Sequence, residues 1–244
     1  MTFDGLDLAT ASVAVAVMAL GSAFQAALGI GMALFVVPIL ALVDPGYIPG
    51  PMLLAGTVLA AITAYRERDA IDRRGLAISL LGLAAGTITG AIALRLATGA
   101  NVQRVFGALV LAAVIVSTFF STSGLRGTMS ARSLILGGGA AGIMGTMVGI
   151  HGPPISLVFQ NAEPRVARAM LGAFFTIAYL GSVGALALFG LFGEAELKRT
   201  VVLLPGVAAG LALAPLTRRF VDRDRLRLAI LAVAAGSGVL LVLH

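Results

Sequence analysis

From Gly137 to Asn161 the chain reads GGGAAGIMGTMVGIHGPPISLVFQN, an almost wholly apolar run that holds seven glycines and the pair Pro153-Pro154. Glycine loosens the backbone and proline removes a donor, so one uninterrupted helix cannot pass through it. Non-helical backbone at membrane depth is tolerated only where protein or a water-filled cavity surrounds it. His151 stands at the break and is the only ionisable side chain in the run, and an intramembrane ionisable group is a functional-site candidate by default. A weaker copy, FQAALGIGMALFVVPILALVDP, lies near the N-terminus. Setting Leu28-Gly29-Ile30 over Val148-Gly149-Ile150 puts Gly31 opposite His151 and Met32 opposite Gly152.

The surrounding composition says which solvent this run meets. Hydrophobic residues make up 59% of the chain and charged residues 11%, with a mean hydropathy of +1.04. Soluble domains carry about 25% charged residues, so the chain is an integral membrane protein. The apolar runs are solid, without the alternation of a β-barrel. No cysteine is present, which removes disulfides, thiolate metal sites and cysteine nucleophiles together. With one internal histidine and no nearby carboxylate, no metal or other cofactor is expected. The start, MTFDGLDLATAS, places Asp4 and Asp7 rather than basic residues before the first apolar run; this predicts a first span that is retained. A net charge of +6 reads as loop arginines that set orientation, with no nucleic-acid partner.

Apolar segments fall at about 8–27, 29–43, 52–65, 75–96, 105–121, 133–148, 152–161, 169–192, 200–217 and 226–243. They predict an all-α polytopic membrane protein of about 8–10 transmembrane or re-entrant helices. Segments 29–43 and 152–161 are short, and each is read as a span or a re-entrant leg. If each glycine-broken pair returns to the side it left, 13 basic residues gather on one face (Arg66, Arg68, Arg73, Arg74, Arg126, Arg132, Arg165, Arg168, Arg218, Arg219, Arg223, Arg225, Arg227). Arg95, Arg104, Lys198 and Arg199 take the other. Positive-inside bias selects this arrangement and leaves both termini outside the cytoplasm. LGLAAGTITGAIALRL (81–96) also lies over PGVAAGLALAPLTRRF (205–220). The chain is therefore read as a first membrane repeat (1–121), a cytoplasmic linker (122–132) and a second repeat (133–244), the two of inverted topology. Secondary transporters are commonly built this way, with substrate held at broken helices.

Exposed glycine amides and a helix start make an anion site. Candidate lining residues are Gln25, Gly29, Gly31, Thr57, Thr146, Gly149, His151, Gly152, Pro153, Gln160, Asn161, Thr176 and Tyr179, with Ser182 beside them. The competing reading is that the glycines serve close helix packing and that each Thr or Ser bonds its own backbone. All eleven carboxylates fall in loops or at segment ends, so a cation pathway lacks its usual acidic group and the substrate is read as an anion or a neutral solute. Arg95, near a segment end, is expected to reach the interface.

At GIGMALFVVPIL (29–40), its repeat GIHGPPISLVFQ (149–160) and the AAG helices at 84–86 and 208–210, the sequence resembles the sulfite exporter TauE/SafE family, also called the TSUP permeases. In the first copy Met32-Ala33 stand where the pattern has further glycines, which weights the site toward the second half. The resemblance implies a multi-pass protein of the bacterial inner membrane that moves a small sulfur-containing anion, such as sulfite, a sulfonate or sulfoacetate, without ATP. The partners it implies are that anion, the lipid bilayer and a coupling proton or other ion; a homodimer is left open. A small-anion channel is the nearest alternative. An intramembrane enzyme is disfavoured, since neither Gly-x-Ser-x-Gly nor a Walker-type loop occurs, and a structural membrane subunit is the remaining one.

Overall fold

The computed structural model describes residues 2–3, 6–28, 32–97, 100–122, 129–220 and 223–243. A short antiparallel ladder, β1 (Thr2–Phe3) with β2 (Leu6–Asp7), precedes the helices. Ten α-helices follow among the described residues: α1 (Leu8–Leu28), α2 (Met32–Val43), α3 (Gly50–Arg66), α4 (Arg73–Leu96), α5 (Ala100–Thr122), α6 (Ala131–Val148), α7 (Gly152–Phe159), α8 (Pro164–Leu188), α9 (Glu194–Phe220) and α10 (Arg223–Leu243). Each apolar segment of the sequence carries one of them. Six hold a stretch long and apolar enough to cross a bilayer: α1, α4, α6, α8, α9 and α10. Apart from that ladder the described secondary structure is helical, and the chain is a multi-pass membrane protein.

Polar residues extend several helices past their apolar runs. Pro164 opens α8 in the first turn, where its missing N–H costs nothing, so Arg165 and Arg168 are helical. The expected linker at 122–132 is shorter than its polar composition suggested. Ser130 accepts the Ser133 N–H at 3.2 Å and caps α6 from Ala131 onward, and residues 123–128 of the linker lie outside the described set.

Ion pairs and caps sort the helix ends into two groups. At one end Glu67, just past α3, meets Arg165 and Arg168 of α8, and Asp72 caps α4. At the other, the Arg95 guanidinium near the end of α4 donates to the Phe189 carbonyl past α8, and Arg199 of α9 faces Asp44 past α2 at 3.7 Å.

Glycines let four of the helices touch backbone to backbone. On α4, a Cβ added at Gly82, Gly86 or Gly90 would collide with the carbonyl oxygen of Ile135, Gly139 or Ile143 of α6. Both series advance by four, so α6 runs parallel to α4. On α9, Gly206 and Gly210 meet the carbonyls of Val15 and Ala19 of α1 in the same manner, so α1 runs parallel to α9. This is the small-residue packing that membrane helices use when no hydrophobic force drives them together. Helices α3 and α8 cross antiparallel: Gly172 takes the Thr63 side chain and Gly56 takes the Tyr179 ring. Hence α1 and α6 run in opposite directions, and α2 and α7 each return toward the end their partner left.

Substituting alanine at Gly86 is expected to force α4 off α6 and to cost about 1–3 kcal/mol of packing. In a thermal melt of detergent-purified protein this corresponds to a drop of roughly 3–10 °C. Gly184→Ala is the control, since nothing lies within 4 Å of a Cβ there, and its melting temperature should match the wild type.

Candidate functional site

The break between α6 and α7 is built by two residues. Gly149 closes α6 in the left-handed region (φ 84°) that favours glycine, and its N–H reaches the Gly145 carbonyl at 2.8 Å. Pro153 and Pro154 then occupy the first turn of α7. Because neither proline has an N–H, α7 offers a ligand fewer amides than an ordinary helix start. Side chains must therefore supply most of the hydrogen bonding at this tip.

They are present and enclosed. His151 is 0% exposed. Its Nε2 lies 3.1 Å from the Ser182 Oγ, and that oxygen lies 2.8 Å from the Thr146 Oγ1. Ser182 and Thr146 are buried as well. The imidazole rests on Gly145, where a Cβ would overlap the ring. Its Nδ1 has no hydrogen bond of ordinary geometry; the Gly149 backbone is the polar group nearby. The Tyr179 ring lies 5.2 Å from the imidazole and stacks on Phe175 at 5.6 Å with 9° between planes. The Gln25 side chain of α1 is near the Tyr179 hydroxyl. Gly56 makes room for this tyrosine, since a Cβ there would stand 3.3 Å from its ring and 2.9 Å from the Met32 Cε.

A shallow cleft of about 20 Å³, room for about one water molecule, is lined by Gln25, Ala60, Thr63, Arg168, Leu171, Gly172 and Phe175. Arg168, Phe175, Tyr179 and Ser182 fall along one stripe of α8 at helical spacing, so a single helix face runs from the cleft to the buried histidine. At the rim Arg168 donates to the Glu67 Oε1 from Nη2 at 3.0 Å and from Nε at 3.2 Å, and Arg165 Nε donates to Oε2 at 3.2 Å. The Arg168 hydrogen bond, with that of Arg165, holds the Glu67 carboxyl below the usual glutamate range and outweighs its desolvation. A lowered carboxyl keeps its pairing at neutral pH and loses it only as pH falls through that depressed value. No Asp, Glu, Lys or Arg is buried among the described residues, and among them no three metal-ligating side chains come together.

The structure divides the sequence candidates. It gathers Gln25, Thr146, Gly149, His151, Gly152, Tyr179 and Ser182, with the buried Pro153 next to them. Thr57 and Thr176 instead donate to their own helix, to the Leu53 carbonyl at 2.9 Å and the Gly172 carbonyl at 2.8 Å. Gln160 and Asn161 are exposed past the end of α7 and do not join His151. Gly29 and Gly31 lie outside the described residues. Gly145, Phe175, Arg168 and Thr63 were missed. The signal for two of them was legible: Arg168 and Phe175 continue the Tyr179–Ser182 stripe of α8.

A multi-pass helical protein with an enclosed polar cluster at a helix break has the form of a membrane transporter. The family model "Sulfite exporter TauE/SafE" matches residues 13–241, nearly the whole chain. The chain belongs to the sulfite exporter TauE/SafE family, a family of membrane transporters. No match was found among curated proteins, and none among solved structures.

Ser182→Ala should leave both the His151 Nε2 and the Thr146 Oγ1 short of a partner in a buried site, a loss of about 1–3 kcal/mol. Thr176→Val removes only a hydroxyl that bonds its own helix, and a change within about 0.5 kcal/mol is expected. Thermal melts of the two purified variants, compared with wild type, check the difference.

Proposed function

We propose that the chain is a secondary transporter that carries a small sulfur-containing oxyanion across the bacterial inner membrane by alternating access, with the Arg-rich end in the cytoplasm. The observation that carries this reading is the enclosed His151–Ser182–Thr146 cluster at the break between α6 and α7. Two hydroxyls and an imidazole are neutral donors, and no fixed cation is buried beside them among the described residues. Burying a dianion against neutral groups alone would be costly. The cluster therefore suits a monoanion, such as hydrogen sulfite or a sulfonate, better than sulfate. Tyr179, buried against the imidazole, would act as the gate. Movement of Tyr179 off Gln25 would connect the cleft to Ser182 along α8.

The halves of the chain supply the moving parts. Helices α1–α5 correspond to α6–α10 in their packing: α4 on α6 matches α9 on α1, α1 with α2 matches α6 with α7, and α4 with α8 matches α9 with α3. One shift carries Gly82 and Gly86 to Gly206 and Gly210, and another carries Val15 and Ala19 to Ile135 and Gly139. The second is the shift that sets Leu28-Gly29-Ile30 over Val148-Gly149-Ile150. With α1 and α6 opposed in direction, this supports two inverted repeats, the arrangement in which one half rocks against the other around a fixed site.

Reconstituted into liposomes, the protein is expected to show saturable [35S]sulfite counterflow, accelerated by unlabelled sulfite or methanesulfonate on the far side. A channel would show neither saturation nor that acceleration. His151→Ala should lower the counterflow rate at least about tenfold, since removing a hydrogen-bonding ligand group from a buried site costs at least one factor of ten. A His151→Ala protein that inserts normally and transports at the wild-type rate would remove the histidine from the mechanism.

A further inference from the structure

The histidine cluster does not account for the rim of the cleft. Arg168 is part of the cleft wall, beside Gln25, Thr63 and Phe175, and its Nε and Nη2 are held by Glu67, which is not part of that wall. Resting on the transport reading above, we propose that Arg168 is the first anion-binding group on the route and that the Glu67 carboxylate occupies it as a stand-in for the substrate's own oxyanion.

Three features support an exchange of partners here. First, the pair is solvent-accessible, with side-chain exposures of 43% for Arg168 and 22% for Glu67. Exposed ion pairs are weak, so an anion in solution can compete for the guanidinium. Second, Glu67 has a second partner. Its Oε2 accepts from Arg165 Nε at 3.2 Å, so when Arg168 leaves, the carboxylate keeps one cation and no charge is stranded. Third, the guanidinium fork suits a ligand that presents two oxygens in one plane, as a sulfite, sulfonate or carboxylate does. From Arg168 the α8 stripe leads past Phe175 and Tyr179 to Ser182, roughly 21 Å along the helix at 1.5 Å per residue. The charged group thus captures the anion at the rim, and the neutral donors receive it inside.

The experiment uses the purified full chain and four variants: Glu67→Gln, Arg168→Gln, Arg168→Lys and the double Glu67→Gln/Arg168→Gln. Half-saturating concentrations of sodium sulfite and sodium methanesulfonate are read from anion-induced thermal stabilisation at constant ionic strength, and [35S]sulfite counterflow is measured on the same preparations. Glu67→Gln should bind both anions about two- to fivefold more tightly, because the competing carboxylate is gone. Arg168→Gln should bind both more weakly, Arg168→Lys should fall between it and wild type, and the double variant should behave as Arg168→Gln alone. Unchanged affinity in Glu67→Gln would overturn the proposal, as would a double variant that keeps the gain, since the receptor would then be another group. Counterflow absent from the wild type, with the Glu67→Gln gain present, would overturn the transport reading and leave the Arg168 exchange supported. Failure of every protein to bind either anion would overturn the exchange whatever the flux.

Discussion

The structure depends on one constraint: backbone that leaves a helix inside a membrane must be walled in by protein, because lipid offers its polar groups no partner. The turn at Gly149-Ile150-His151 is such a departure, and all three residues are buried. Helices reach close enough to enclose it because glycine removes the side chains that would hold them apart. On the α4–α6 seam a Cβ at Gly82, Gly86 or Gly142 would strike backbone of the facing helix, and at Gly145 it would strike the imidazole itself. The glycines that looked like helix breakers in the sequence are mostly helix packers. Only Gly149, with its positive φ, breaks α6.

Polarity is distributed to match. The buried polar residues along the membrane helices, Ser22, Ser79, Thr87, Thr146, His151, Ser182, Thr200 and Ser237, are all neutral-capable groups. The ion pairs among the described residues sit at the helix ends: Glu67 with Arg165 and Arg168, Asp44 and Glu196 with Arg199, and Glu194 with Lys198. A charge costs little at the rim and a great deal inside, so recruitment by charge and retention by hydrogen bonds are tasks for different places. That division is the physical content of the proposed route along α8.

Much of this was legible in the residues. Apolar length and the paucity of charge gave the ten helices, and the glycine–proline break with its single histidine located the enclosed cluster. The threonines were harder. Thr146, Thr57 and Thr176 look alike in sequence, yet Thr146 bonds Ser182 across two helices while the other two bond their own backbone carbonyls. Which face a threonine shows to its neighbour depends on the packing partner, and no local pattern encodes that. Gln160 and Asn161 were drawn in by proximity along the chain, but eight residues of α7 carry them away from the tip to an exposed position. The cleft was invisible for the converse reason: Gln25, Thr63 and Arg168 are remote in sequence and meet only because α3 and α8 cross at Gly56 and Gly172.

For transport by alternating access, the buried cluster must become reachable from both sides of the membrane in turn. The chain contains no cysteine, so Ser182→Cys creates the only thiol and can be probed without background. In proteoliposomes a membrane-impermeant maleimide, added first to one face and then to the other, reports access to that position. The account predicts labelling from each face, slowed by methanesulfonate as the site fills. A thiol that stays unlabelled from both faces, with the protein inserted and folded, would mean that the cluster is permanently sealed and would contradict it.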